Sequence, residues 1–168
     1  VRNDGTEVFN DDYLFNASVV AKLCKEYGRE MRTFVQACNV DNVGAEFIDE
    51  MLDLFLLAYA TGNTVTNENL GADWQPTLDD IDNVVNEEVA GETWEERARN
   101  YFLNGGTGDD LIRIAETETH RIANESALRT AREDGARFKT WMTMMDDRVR
   151  ETHDYLLGET RSIDEDFY

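Results

Sequence analysis

The sequence predicts a mainly α-helical protein of the α+β class, on the evidence of hydrophobic periodicity, capping motifs and one short alternating segment. Most apolar residues recur at steps of three and four, which places them on one side of a helix. Alternation with a period of two is confined to a segment that begins at Phe138. We therefore expect an N-terminal helical region over residues 1–106 and a small C-terminal module over residues 107–168.

The first two predicted helices are the most apolar of the N-terminal region. The first spans residues 12–37 and is followed by a break at residues 39–42. Its apolar stripe consists of Val20, Leu23, Cys24, Tyr27, Met31, Phe34, Val35 and Cys38. The second spans residues 43–60 and becomes apolar around most of its circumference towards its C-terminal end. Such a helix is typically buried between neighbours, in its own fold or in an assembly.

Two shorter helices are predicted to complete the N-terminal region. Residues 61–76 are rich in Gly and Asn and contain the only proline, so they are predicted to form a long loop. A third helix follows over residues 77–90, with Leu78, Ile81, Val84, Val85 and Val89 on one side. Thr93 and Glu96 then form a capping-box pattern that predicts a fourth helix.

A glycine-rich break separates the two predicted parts of the chain. Gly105, Gly106 and Gly108 are not followed by Gly-Lys-Ser/Thr and are not preceded by a strand, so a turn is favoured over a phosphate-binding loop. A long helix is then predicted over residues 109–134, ending at Gly135. One of its faces carries Leu111, Ala115, Glu118, Ile122 and Ser126.

Glu118 lies on that face among apolar neighbours, where an unpaired charge is costly. The alternating residues from Phe138 to Met145 predict a strand, with Trp141 as a packing anchor. Asp146 can cap a short helix that ends at Gly158. Asp146, Arg150 and His153 share one face of that short helix, and Arg150 is the candidate partner of Glu118.

We interpret Glu118, Asp146, Arg150 and His153 as a structural network that fixes the strand and short helix to the long helix. A His with a carboxylate can perform acid–base chemistry and an Arg can hold a phosphate, so catalysis and a ligand or ion site stay open as alternatives. The sequence supplies no nucleophile motif, metal-ligand set or glycine-rich cradle beside them. We therefore expect no enzyme activity, no cofactor and no metal.

The chain carries a formal net charge of −20, with 36 acidic side chains against 16 lysines and arginines. Such a surface repels phosphate backbones, so we expect no strong non-specific binding of nucleic acid. Three interpretations stay open: adaptation to high salt, a DNA-mimic surface that occupies a nucleic-acid-binding partner, or an ordinary acidic protein. Only three of the basic residues are lysines, which favours the first.

Neither the cysteines nor the apolar runs indicate an oxidising or membrane environment. Cys24 and Cys38 lie in one predicted helix, about 21 Å apart at a rise of ~1.5 Å per residue, too far for a disulfide. We interpret them as buried thiols in a reducing compartment. The longest apolar run, Leu54–Ala60, is much shorter than the roughly 20 residues that span a bilayer, so no membrane contact is expected.

The segment Ile114–Phe167 carries an ordered set of residues: Ala115, Thr117, Glu118, Asn124, Trp141, Asp146, Arg150, His153, Gly158 and Phe167. In this order they resemble the Mu-F-like minor head protein family of tailed phages. The pattern of that family is a helix with Ala-x-Thr-Glu and a later Asn, a Trp-bearing strand, Asp-x-x-x-Arg-x-x-His, a Gly, and an acidic residue before Phe. Family members commonly continue into a Cys-containing tail, whereas this chain stops at Tyr168, so the resemblance implies a shortened module.

The resemblance implies a structural protein of head assembly, located inside the virion head near the portal and in the host cytoplasm during assembly. Portal subunits, major capsid subunits and further copies of the chain are its expected partners. Together with the acidic composition, it predicts a tailed virus of a halophilic host. Some proteins with this module carry enzyme or toxin domains, so an enzyme or toxin that uses Arg150 and His153 is the alternative, beside the acidic DNA-mimic inhibitor.

Overall fold

A computed structural model describes residues 43–104, 108–142 and 155–167 of the chain. The described residues are mainly helical with a small two-stranded sheet, so the predicted fold class is confirmed. The elements are α1 (Val43–Leu70), α2 (Leu78–Val85), α3 (Trp94–Leu103), α4 (Gly108–Glu133), β1 (Phe138–Thr140) and β2 (Thr160–Ser162). The helix predicted over residues 12–37, with Cys24 and Cys38, and the glycines at 105 and 106 lie outside the described residues.

The core lies where α1 packs along α4, with α2 and α3 closing one side. Its largest fully buried side chains include Met51, Phe55 and Tyr59 from α1, Trp94 from α3 and Ile122 from α4. Phe55 and Trp94 meet edge to face, with ring centroids 5.0 Å apart, an arrangement favoured by aromatic quadrupoles. Helices from both sides of residue 106 contribute to this core.

Helix α1 continues ten residues beyond its predicted end at Ala60, so the loop predicted over residues 61–76 is wrong as far as Leu70. Gly, Asn and Thr have weak helix propensity, which is why the sequence favoured a loop. Contacts with other elements outweigh that preference. Asn63 Nδ2 donates to the carbonyl of Trp74 (3.2 Å) and to Thr130 Oγ1 on α4 (3.0 Å).

Helix α2 begins as predicted and ends earlier than predicted. Thr77 is its N-cap and forms a capping box with Asp80. The helix ends at Val85, with Asn86 as its C-cap, instead of continuing to residue 90. Ala90 (φ 58°) and Gly91 (φ 83°) have left-handed conformations in a separate turn that bridges Val89 to Glu92. The predicted apolar side is correct for Val84 and Val85, which are buried, and wrong for Leu78, which is 83% exposed.

The caps of α3 and α4 agree with the sequence. Thr93 Oγ1 accepts from the N–H of Glu96 (3.2 Å), and the Glu96 carboxylate accepts from the N–H of Thr93 (2.8 Å), which completes the predicted capping box. Helix α4 ends at Glu133, and Gly135, two residues further on, has a left-handed φ of 83°. The N–H of Ala136 donates back to the carbonyl of Ala131 (2.9 Å), the pattern of a helix that ends on a left-handed glycine.

The sheet pairs β1 with β2 in antiparallel register, with Lys139 opposite Arg161 and Thr140 opposite Thr160. The hydroxyls of these two threonines lie 2.9 Å apart and add a cross-strand hydrogen bond. Strand β1 is shorter than the predicted strand: it ends at Thr140, residues 141–142 are in neither strand, and residues 143–145 lie outside the described part.

Candidate functional site

The residues singled out by the sequence are described in part. Glu118, Trp141, Gly158 and Phe167 are described, whereas Asp146, Arg150 and His153 lie outside the described residues. The network proposed among all of them therefore stays a prediction. The described members fall into two separate groups: an ionic cluster around Glu118 on α4, and an aromatic corner around Trp141 beside the sheet.

The carboxylate of Glu118 lies in the core, on the apolar face of α4 that the sequence predicts. Only 1% of its surface is exposed. Arg97 of α3 donates to its Oε1 atom over 2.6 Å, and Arg121, one turn further along α4, donates to its Oε2 atom over 2.7 Å. Each carboxylate oxygen thus accepts a charge-assisted hydrogen bond, which offsets the cost of removing the charge from water.

Arg121 extends the cluster to the end of α2. Its Nη1 atom donates to Glu87 over 2.8 Å, and its Nη2 atom donates to the carbonyl of Val85 over 3.3 Å. The side chains of Arg97 and Arg121 are 21% and 17% exposed, so both charges are partly withdrawn from solvent. The cluster therefore connects α4 with α3 and with the segment that follows α2.

Among the described residues, Arg97 and Arg121 are the partners of Glu118, one at each carboxylate oxygen. The predicted partner Arg150 lies outside the described residues, so its pairing with Glu118 stays a prediction. The spacing of Glu118 and Arg121, three residues apart in a helix, was a signal for one of these pairs. Arg97 comes from another helix, and its approach depends on how α3 packs on α4, which sequence spacing does not reveal.

A second buried polar layer lies further along α4. Ser126 Oγ donates to the carbonyl of Tyr59 (2.7 Å), and Thr130 Oγ1 donates to the carbonyl of Ser126 (2.8 Å). Thr130 also accepts a hydrogen bond from Asn63. The side chains of Asn63, Ser126 and Thr130 thus join α1 to α4. The sequence pattern does not predict this layer, because Asn63 falls in the segment that its composition assigns to a loop.

Trp141 was predicted to be a packing anchor, and its half-buried ring lies against Phe167 near the C-terminus. The ring centroids are 5.3 Å apart and the planes make an angle of 66°. Lys139 Nζ and Arg161 Cζ lie 5.4 and 5.6 Å from the centre of the Phe167 ring, both within cation–π range. This aromatic corner holds residue 167 against the sheet.

Gly158 makes the turn that returns the chain to β2. Its φ of 81° is in the left-handed region, as predicted, and its N–H donates to the carbonyl of Trp141 over 2.9 Å. The N–H of Trp141 in turn donates to the carbonyl of Glu159 over 2.9 Å. Gly158 therefore allows the backbone to turn back and form these two hydrogen bonds with Trp141.

Within the described residues, no three His, Cys, Asp or Glu side chains are placed to hold a metal ion. The carboxylate of Glu118 is occupied by two guanidinium groups, and His120 is exposed on α4. A shallow groove beside β2 is lined by Phe138, Thr160, Arg161, Ser162, Glu165 and Asp166. Its arginine is bound to Glu159 and to the carbonyl of Asp166.

Comparison with known proteins found no matching family model, no matching curated protein and no matching solved structure. Within the described part of the chain, no helix combines the length and apolar content needed to cross a bilayer.

Proposed function

We propose that this chain is a structural minor head protein of a tailed virus with a halophilic host. In this proposal it acts in head assembly, lies inside the head near the portal, and binds portal or major capsid subunits without turning over a substrate. The proposal rests on the resemblance of residues 114–167 to the Mu-F-like minor head protein family. The observation that carries it is the ordered set of residues from Ala115 to Phe167.

Several residues of the family pattern lie in the described part of the chain, and their contacts favour a structural role over a catalytic one. Ala115 and Glu118 are buried on the face of α4 that packs in the core. Trp141 and Phe167 pack on each other, and Gly158 closes the turn beside them. Side chains that are buried, paired or packed in this way stabilise a module, whereas a catalytic group must remain accessible to a substrate.

The charge distribution supports the halophilic part of the proposal. Of the nine Lys and Arg side chains in the described ranges, seven form ion pairs with carboxylates. The other two, Arg137 and Lys139, lie over phenylalanine rings. The basic residues of the described ranges are thus engaged within the fold, while many carboxylates there face solvent and keep the surface hydrated and negative.

The direct test is to look for the chain in purified virus particles. Mass spectrometry of particles purified by density gradient should detect it at a fixed ratio to the portal protein. Protease treatment should leave it intact in closed particles and degrade it in particles opened by osmotic shock, with an internal and an external virion protein as controls. Absence of the chain from purified particles would refute the proposal.

The acidic surface also supports one rival, a DNA-mimic inhibitor. Such a protein should displace duplex DNA from a basic DNA-binding protein in a salt-sensitive manner, because both polyanions compete for the same Lys and Arg side chains and salt weakens that electrostatic binding. Fluorescence anisotropy of labelled DNA bound to a histone-like protein measures this displacement. No displacement at low salt would eliminate the rival and leave the virion test to decide the main proposal.

A further inference from the structure

The main-chain hydrogen bonds of the small sheet show which way each residue of β1 points. The N–H of Ile163 donates to the carbonyl of Arg137 over 2.9 Å. The N–H of Trp141 donates to the carbonyl of Glu159, also over 2.9 Å. Lys139 lies midway between these two pairs, so its own N–H and C=O groups point towards β2 as well. Inward and outward groups alternate along an antiparallel strand, so every second residue of β1 directs its main chain away from β2.

The outward residues of β1 are Phe138 and Thr140. Their N–H and C=O groups meet no donor or acceptor among the described residues, and we define these groups as the β1 edge. The outer edge of β2 differs, because the N–H of Ser162 donates to the carboxylate of Glu165 over 3.3 Å. The carbonyl of Ser162 accepts from the N–H of Glu165 over 3.1 Å. A third strand therefore finds a donor and an acceptor at each residue of the β1 edge, whereas the turn after β2 blocks the other side at Ser162.

The side chains beside the β1 edge determine what a third strand must carry. Phe138 is 46% exposed and lies on the same face of the sheet as Thr140. Arg137 and Lys139 belong to the opposite face, and neither forms an ion pair with a described carboxylate. A strand with Asp or Glu facing these two cations, and an apolar β-branched residue facing Phe138, has the complementary chemistry.

We propose that the β1 edge binds an extended acidic segment of another protein, which adds to the sheet as a third strand. Asp or Glu at alternate positions of that segment lies beside Arg137 and Lys139, and the apolar residue between them covers Phe138. Main-chain hydrogen bonds supply affinity, and the alternating side chains supply selectivity. The proposal does not depend on a viral function.

A second copy of the chain fits the β1 edge less well. Two copies related by a two-fold axis would pair their β1 strands in antiparallel orientation. The register that joins both outward residues of each strand places Lys139 of one copy directly opposite Lys139 of the other. Like charges in that position are destabilising, so the same cation that attracts an acidic segment opposes self-pairing.

Amide hydrogen exchange of the full chain, followed by NMR, tests whether the β1 edge is open. After correction for intrinsic rates, the N–H groups of Phe138 and Thr140 should exchange at least about tenfold faster than that of Lys139, which is bonded within the sheet. Slow exchange of both groups at every protein concentration would mean that the chain itself covers the edge. Slow exchange only at high concentration would assign the edge to a second copy. Either result would overturn the proposal.

The binding test uses a short fluorescein-labelled peptide of alternating Glu and Val. Fluorescence anisotropy should show saturable binding below about 1 mM, and the bound peptide should slow the exchange of the Phe138 and Thr140 N–H groups. Two matched controls should bind at least about tenfold more weakly: a Lys–Val peptide, and a Glu–Val peptide methylated on the valine amides that face β1. No saturable binding of the Glu–Val peptide, or equal binding of all three peptides, would refute the proposal.

Substitutions in the sheet test the charges and the main chain separately. Arg137→Glu combined with Lys139→Glu should reverse the preference, so that the Lys–Val peptide binds more tightly than the Glu–Val peptide. Thr140→Pro removes an outward donor without removing a hydrogen bond between the strands, and it should weaken binding. Thr160→Pro is the matched control, because it loses the same threonine pair but lies on the β2 side. Thermal unfolding confirms that each variant is folded, and an unchanged peptide preference in the charge variant would contradict the proposal.

Discussion

At the scale of single residues, Glu118 decides how the helices around α4 are joined. A solvent-exposed ion pair contributes about 0–1 kcal/mol, whereas removing one member of a buried pair costs about 3–5 kcal/mol because the remaining charge loses its partner. Glu118 belongs to the second case, since it is 1% exposed and holds two guanidinium groups. Its role is to neutralise Arg97 and Arg121 at the junction of three elements.

Glu118→Gln should therefore destabilise the protein strongly although it keeps the size of the side chain. We expect a loss of about 3 kcal/mol in the free energy of unfolding, because the partly buried Arg97 loses its counter-charge and Arg121 keeps only that of the exposed Glu87. Urea unfolding followed by circular dichroism measures this loss. The matched control is Glu95→Gln, whose partner Arg99 is 55% exposed, with an expected change below about 0.5 kcal/mol. Equal losses in the two variants would contradict this interpretation of the cluster.

Asp80 gives a second residue-scale prediction, which concerns pH. Hydrogen bonds from the hydroxyl and the N–H of Thr77 (2.7 and 2.8 Å) lower the pKa of the Asp80 carboxyl, and Arg129 adds to the effect. A carboxyl whose pKa is lower in the folded than in the unfolded state stabilises the protein above the unfolded pKa of about 3.9. That stabilisation is lost as the pH falls through the folded pKa.

Asp80→Asn should accordingly lower the melting temperature at neutral pH, and the difference from the parent protein should shrink as the pH falls below about 3.9. Thermal unfolding over a series of acidic buffers measures both melting temperatures. Asp79→Asn, an exposed change in the same turn of α2, serves as the control and should have a smaller effect at neutral pH. A difference for Asp80→Asn that stays constant across the series would exclude the capping-box explanation.

At the scale of elements, α1 shows where sequence reasoning succeeds and where it stops. Local signals predicted the caps at Thr77 and Thr93, the helix end at Gly135 and the buried face of α4, because each depends on residues within a few positions of one another. The second half of α1 was missed. That half depends on contacts that Gly62 and Asn63 make with α4, whose residues are far away in the sequence.

The candidate site divides in the same way. Burial of Glu118 and the left-handed turn at Gly158 follow from helix periodicity and from the freedom of glycine, and both could be predicted. The pairing of Glu118 with Arg97 could not, because it requires knowing how α3 lies against α4. Partner choice among distant charges is thus decided by packing, which the sequence pattern does not specify.

Gly62 permits the close approach of α1 to α4, and its replacement tests this packing. A Cβ atom at position 62 would lie 2.3 Å from the carbonyl oxygen of Ala123 and 3.1 Å from the Cβ atom of Ser126. Helix propensity alone predicts that Gly62→Ala gains about 1 kcal/mol, whereas forcing two packed backbones apart costs about 1–3 kcal/mol or more. Because the clash is with backbone, we expect a net loss of stability.

The measurement is urea unfolding of Gly62→Ala beside Thr64→Ala, an exposed change two residues further along α1. The control should change stability by less than about 0.7 kcal/mol, since only helix propensity is affected. If Gly62→Ala were as stable as the parent protein or more stable, α1 and α4 would be able to move apart at little cost, and the interpretation of Gly62 would be wrong.

At the scale of the whole molecule, the dominant property is a net charge of −20 on 168 residues. Self-repulsion of such a chain is strong in dilute buffer and weak in concentrated salt, because the screening length falls from about 10 Å at 0.1 M to about 3 Å at 1 M. The described arginines are mostly engaged in ion pairs, so they do not relieve the repulsion among the remaining carboxylates. Folding should therefore depend on ionic strength.

We expect the free energy of unfolding to rise steadily between low and multimolar potassium chloride, as adaptation to a salt-rich cytoplasm requires. Thermal unfolding at several concentrations measures it, and sucrose at matched osmolality controls for general exclusion of solutes from the protein surface. Asp49 and Asp53 are exposed on α1. A double variant with Asp49→Lys and Asp53→Lys removes repulsion there and should make stability depend less on salt. Equal stability at low and multimolar salt would refute the proposal of a halophilic host, since the carboxylates would then neither repel one another nor require screening.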